Sequence, residues 1–150
     1  PGLFAGPKPT AEQMRDLQKS AHIAAEIGRL DIGQGAIVCD GLVLAVEAQE
    51  GTDAMLARLL LLETEIRGTS SRPAGVLVKR PKPGQEDRVD MPVIGVSTIE
   101  AAAKAGLIGI GLEAGCTLLI NRTALAVSAN RLGVFIYGFE AGELANADRS

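Results

Sequence analysis

A chain of 150 residues with a formal net charge of −3 is long enough for one domain with a real apolar core, and its acidic balance argues against nonspecific nucleic-acid binding. Hydrophobic residues make up 47% of it, aromatics only 3%, and Trp is absent. The core is therefore one of Leu, Val, Ile and Ala, which suits layered helices and strands, and base-stacking surfaces are disfavoured. One histidine and two cysteines do not complete a common zinc pattern. Cys39 and Cys116 lie in apolar, strand-like contexts and read as buried, reduced thiols of a cytosolic protein. No apolar run approaches a membrane span and no signal peptide is visible. The opening Pro1-Gly2-Leu3-Phe4, without an initiator Met, reads as a piece of something longer.

Residues 1–9 are rich in Gly and Pro and read as a linker. Thr10 and Gln13 have capping-box spacing and begin a helix whose apolar face is Met14, Leu17, Ala21 and Ala24; Gly28 ends it. His22 falls on that helix with an ordinary surface or packing role. A strand over residues 36–39, the turn pair Asp40-Gly41 and a return strand over residues 42–48 make a hairpin. A second helix follows at once, with Met55, Leu59, Leu62 and Ile66 facing inward and Arg67-Gly68 closing it. Val76-Leu77-Val78 is a buried strand. Ser97 and Glu100 have capping-box spacing for a helix over residues 99–105. Strands over residues 107–112 and 117–120 follow. Asn121 caps a helix that Gly133 ends, and residues 134–137 form the last strand. The order α-ββ-α-β-α-ββ-α-β is that of an α/β domain over residues 10–140, a mixed β-sheet with packed helices. Residues 141–150 are polar and read as a flexible tail.

Two stretches carry chemistry. Between Lys79 and Asp90 stand four cations (Lys79, Arg80, Lys82, Arg88) and three carboxylates (Glu86, Asp87, Asp90), on a segment stiffened by Pro81 and Pro83. Cations neutralise phosphoryl oxygens and carboxylates hold a hard cation such as Mg²⁺; the bland alternative is a charged surface loop. The second stretch, Glu50-Gly51-Thr52-Asp53, sits where a strand feeds a helix. Ligands of α/β sheets bind there, and helix-start N–H groups favour an anion. The bland alternative is that Thr52 or Asp53 is simply the N-cap. A P-loop, a complete dinucleotide fingerprint and a serine nucleophile elbow are all absent from the sequence. Gly109-Ile110-Gly111 is too short a fragment of the dinucleotide motif to use. A phosphate-processing enzyme would have to rely on Asp, Glu, Lys and Arg.

Asp31-Ile32-Gly33-Gln34, Glu50 through Leu56, Val78-Lys79, Lys82-Pro83-Gly84-Gln85, Arg88-Val89-Asp90-Met91-Pro92 and Gly95 together resemble the UDP-2,3-diacylglucosamine pyrophosphatases of lipid A synthesis, of the type lacking metallophosphoesterase motifs. The resemblance runs over residues 30–138 and covers the C-terminal domain of a two-domain family. It implies Mg²⁺-dependent hydrolysis of a lipid-linked UDP-sugar to UMP and 2,3-diacylglucosamine 1-phosphate. It places that reaction in the cytoplasm, with at most peripheral contact at the inner face of the inner membrane. It also implies an N-terminal domain of the parent chain as partner, and a homodimer is expected. Asp90 matches the family's essential carboxylate, as a Mg²⁺ ligand or the group that orients water. Lys79, Lys82, Gln85 and Arg88 would bind the pyrophosphate, with Gly51 and Thr52 at the helix start; Glu50 and Asp53 would complete the metal site. Two readings compete: a noncatalytic nucleotide- or phosphate-binding module, and a dimerisation module built on the hairpin and the Leu-rich helix 55–66.

Overall fold

The computed structural model describes residues 1–82 and 91–145. In chain order the elements are β1 (Gly2–Ala5), α1 (Ala11–Arg29), β2 (Gly35–Cys39), β3 (Leu42–Val46), α2 (Thr52–Leu59), β4 (Val76–Lys79), β5 (Val93–Ile94), α3 (Val96–Lys104), β6 (Gly109–Glu113), β7 (Leu118–Leu119), α4 (Arg122–Leu132), β8 (Phe135–Phe139) and α5 (Ala141–Ala145). Six strands form one sheet in the order β1-β8-β6-β4-β2-β3, and β5 pairs with β7 in a separate two-stranded ribbon. β4, β6 and β8 run parallel; β2 is antiparallel to both β3 and β4, and β1 to β8. The sheet is thus mixed, as the alternation of elements suggested.

The two-residue period of the strands sorts the core into two layers. Ile37, Leu77, Ile110 and Ile136 join one cluster with Met55, Leu59, Ile99, Ala102, Leu125 and Ala129, which come from α2, α3 and α4. Ala36, Val76, Val78, Phe135 and Phe139 join the other with Leu17, Ala21 and Ala24 of α1. Strands covered on both faces need apolar residues at successive positions, which is why Val76-Leu77-Val78 is an unbroken apolar run with all three residues buried.

Local signals worked where the chemistry is local. Thr10 and Gln13 form the reciprocal capping box. Asp40 and Gly41 both take positive φ, 49° and 81°, the type I′ geometry that suits strand twist. Asp16, buried on α1, accepts hydrogen bonds from the N–H groups of Asp40 and Gly41 at 2.9 Å each. Burial raises its carboxyl pKa in spite of those bonds. The side chain of Asn121 caps α4, and Gly133 ends it in the left-handed conformation.

Several expectations are corrected. Within the stretch read as a linker, residues 1–9, β1 pairs with β8 in the register Gly2↔Gly138. α1 passes through Gly28 to Arg29. The second helix stops at Leu59, not near Ile66. Leu59 to Leu62 cannot all share one face, so Leu59 is buried while Leu61 is 86% exposed. The chain tightens through i→i−3 bonds from Leu61 and Leu62 to Arg58 and Leu59, and Arg67 Nε caps the carbonyl of Leu62 at 2.8 Å. The helix after β5 begins at Val96 with Gly95 as N-cap and no side-chain cap bond, so Ser97 falls inside the first turn and no capping box forms. Residues 118–119 belong to the small ribbon and not to the main sheet. The short helix α5 falls within the stretch expected to be a flexible tail, whose residues 146–150 lie outside the described ones.

Cys39 is buried, as expected, and desolvation, reinforced by Asp40 and Asp16, pushes its thiol from 9.0 up to about 11. The unfolded chain ionises this thiol first, so its contribution is intact below pH 9 and is lost between pH 9 and about 11. In full that is about 3 kcal/mol. Urea midpoints should fall across this window for the native sequence and fall less for Cys39→Ala. Equal slopes in the two proteins would remove Cys39 from the alkaline limb.

Candidate functional site

The connectivity gathers the sequence motifs at one end of the sheet. β3 runs parallel to β4 because both are antiparallel to β2. The ends of β3 and β4 and the start of β2 therefore lie on the same edge. It is the carboxyl edge of the parallel strands, at the point where the chain leaves β4 for β6 on the side away from β2 and β3. Open α/β sheets bind ligands there.

Glu47, just past β3, stands at the centre of this edge, only 6% exposed. Its Oε2 accepts the Thr52 hydroxyl at 2.9 Å, and Thr52 Oγ1 in turn accepts from Lys79 Nζ at 2.7 Å. Lys79 Nζ lies 3.9 Å from Glu47 Oε2, and both side chains are largely buried. The other carboxylate oxygen, Oε1, accepts the Gln34 N–H at 3.2 Å, and the Glu47 N–H donates to Gly35 O at 2.8 Å. The backbones meet so closely that a Cβ on Gly33 would sit 1.9 Å from Glu47 O, so only glycine fits there. Lys82 extends the patch outward, paired with exposed Asp31 at 2.9 Å. Three segments far apart in sequence (residues 31–34, 47–52 and 79–82) thus meet around one carboxylate.

Thr52 is the first residue of α2, and neither it nor Asp53 is the N-cap. That position is Gly51, at φ 88°, with no side-chain cap bond. The hydroxyl of Thr52 is therefore available to Glu47 and Lys79, and the space beside the Gly51 Cα is open to an approaching group. Arg80, counted among the cations of the central stretch, is spent on the fold. Its Nε pairs with Glu113 at 3.0 Å, one terminal nitrogen donates to Ala21 O at 3.2 Å, and the guanidinium lies 5.4 Å from the Phe139 ring centroid. Lys79 and Lys82 are the described cations left at the edge. Gln85, Arg88 and Asp90 lie outside the described residues.

The model of the LpxI C-terminal domain family matches residues 1–137. The chain belongs to this family. The domain is also 58% identical over 142 residues to the UDP-2,3-diacylglucosamine pyrophosphatase LpxI of Caulobacter vibrioides, an alignment covering 95% of this chain and 51% of that protein. It therefore spans about half the length of the curated relative it matches. Among its described residues no helix is long and apolar enough to cross a membrane.

Of the carboxylates expected to hold Mg²⁺, Asp90 lies outside the described residues, and only Glu50 and Asp53 are described. Glu50 is paired with Arg58 at 2.6 Å. Asp53 lines a cavity of about 200 Å³ with Leu56, Ala57 and Lys104, against α3. Among the described residues no group of three His, Cys, Asp or Glu side chains is placed to hold a metal ion. Glu50 and Asp53 do not form a cation cradle by themselves. What the edge offers is hydrogen-bond donors and cations that are paired with carboxylates, Lys79 with Glu47 and Lys82 with Asp31, groups of the kind that bind phosphoryl oxygens. Glu47 went unnoticed in the sequence. Its signal was a lone carboxylate directly after the apolar run Leu42 to Val46, where a buried charge has to find a partner.

Proposed function

We propose that this domain supplies the diphosphate-binding and hydrolytic part of an enzyme that cleaves UDP-2,3-diacylglucosamine to UMP and 2,3-diacylglucosamine 1-phosphate. The reaction is Mg²⁺-dependent, belongs to lipid A synthesis and takes place in the cytoplasm against the inner membrane. The observation that carries the reading is the meeting of residues 31–34, 47–52 and 79–82 at the sheet's carboxyl edge, in a chain so similar to a named pyrophosphatase. Water attacks one phosphorus as the bridging oxygen leaves with the other, and negative charge grows on the phosphoryl oxygens. Positioning and electrostatics do most of that work. Lys79, Lys82 and Arg88 neutralise those oxygens, and Asp90 orients the water. The N-terminal half of the longer chain completes the site.

The test is release of UMP from UDP-2,3-diacylglucosamine, with this chain alone and with the parent protein's N-terminal half added. Release in either case, abolished by EDTA and restored by Mg²⁺, supports the reading. No release from folded, associated halves would leave a nucleotide- or phosphate-binding module.

A further inference from the structure

We propose that Glu47 is a positioning residue of the diphosphate site, holding the Lys79 ammonium in place through the hydroxyl of Thr52. This rests on the hydrolytic reading above and adds a residue to it. The chain of donors is complete: Lys79 Nζ donates to Thr52 Oγ1 at 2.7 Å, and Thr52 Oγ1 donates to Glu47 Oε2 at 2.9 Å. In a series of this kind each hydrogen bond polarises the next. An ammonium has three donors. The Thr52 bond takes one, and the direct approach to Glu47, at 3.9 Å, is too long to be a hydrogen bond. Lys79 therefore keeps donors for phosphoryl oxygens while its position is fixed from behind.

Stability alone does not account for the arrangement. A buried ion pair is at best weakly stabilising, and apolar residues of similar size do as well or better. Here the carboxylate is 6% exposed and its second oxygen is satisfied by the Gln34 N–H. The two charges are linked through the Thr52 hydroxyl, Glu47 is tied to the backbone of residues 34 and 35, and the ammonium stands at the carboxyl edge of the sheet. Pre-organised charge that needs no rearrangement when substrate arrives is the form electrostatic stabilisation takes in active sites.

The experiment uses the full two-domain protein and reads two quantities: steady-state kinetics on UDP-2,3-diacylglucosamine and the affinity for UDP in EDTA by calorimetry. Glu47→Gln keeps shape and removes charge. Thr52→Val removes the hydroxyl link, and Thr52→Ser keeps it. We expect Glu47→Gln and Thr52→Val to weaken UDP binding about tenfold or more and to raise KM by at least as much as they lower kcat, and Thr52→Ser to recover most of that loss. A purely structural role would lower the melting temperature and leave UDP affinity and KM at the wild-type level in the folded protein; that result overturns the proposal. A wild-type protein that neither turns over substrate nor binds UDP overturns the hydrolytic reading itself, and this inference falls with it.

Discussion

Asp90→Asn is expected to reduce UMP release by about a thousandfold while the variant folds and melts as the wild type does. Asparagine has nearly the shape of aspartate, so the loss is of charge and basicity. A carboxylate that orients or deprotonates attacking water is worth roughly 10²–10⁴ in rate. In the proposed mechanism the neutralising charge is divided among Lys79, Lys82 and Arg88, so removing one of them would take away only part of it. Two of the described carboxylates at the sheet's carboxyl edge are already engaged: Glu47 accepts from Thr52 and Gln34, and Glu50 holds Arg58. The single-turnover rate of UMP release checks this, because it isolates chemistry from product release. A wild-type rate in the variant would remove Asp90 from the mechanism and shift attention to the basic edge as a binding surface.

What the sequence disclosed and what it hid divide along the range of the interactions involved. The Thr10 capping box, the Asp40-Gly41 turn and the Asn121 cap are settled within four residues of chain, so their signals stand in the sequence itself. β1 is held by β8, with Gly2 beside Gly138; nothing near residues 1–9 announces that pairing, and Gly and Pro read as linker. The end of α2 is hidden because a run of leucines satisfies any periodicity, and burial decides which of them face inward. The same division holds in the site. Lys79 and Lys82 were visible as charges beside an apolar strand. That Arg80 between them serves the fold depends on Glu113, Ala21 and Phe139, all distant in sequence. Glu47 became legible only once β3 and β4, on either side of β2, were known to end on the same edge of the sheet.

Gly109→Ala is expected to cost about 3 kcal/mol or more, at the upper end of what overpacking a core does. Gly109 lies in β6, near the middle of the sheet, between Val76 of β4 and Phe135 of β8 in register. The tip of the Phe135 ring lies over its Cα, so an added Cβ would stand 2.1–2.3 Å from three ring carbons, well inside the roughly 3.5–4 Å of ordinary contact. The ring cannot swing aside, because it is fully buried among Leu17, Ala21, Ala24, Val76, Val78 and Phe139. Gly111, two residues on, provides the contrast. A Cβ there would meet Val78 Cγ2 at 2.9 Å and Leu17 Cδ1 and Cγ at 3.0 Å, a clash several tenths of an ångström milder than the one at Gly109, so Gly111→Ala should cost less. In a domain of this size each kcal/mol lowers the melting temperature by about 2–4 °C, so Gly109→Ala should melt roughly 10 °C below the wild type. The two glycines that looked like a remnant of a nucleotide motif are, on this account, the places where an aromatic ring and a helix side chain reach the strand backbone. Phe135→Leu in the Gly109→Ala background should restore part of the loss, although Phe135→Leu alone leaves a cavity and destabilises. Strict additivity of the two substitutions, read from urea midpoints, would mean that the contact between ring and glycine does not set the cost.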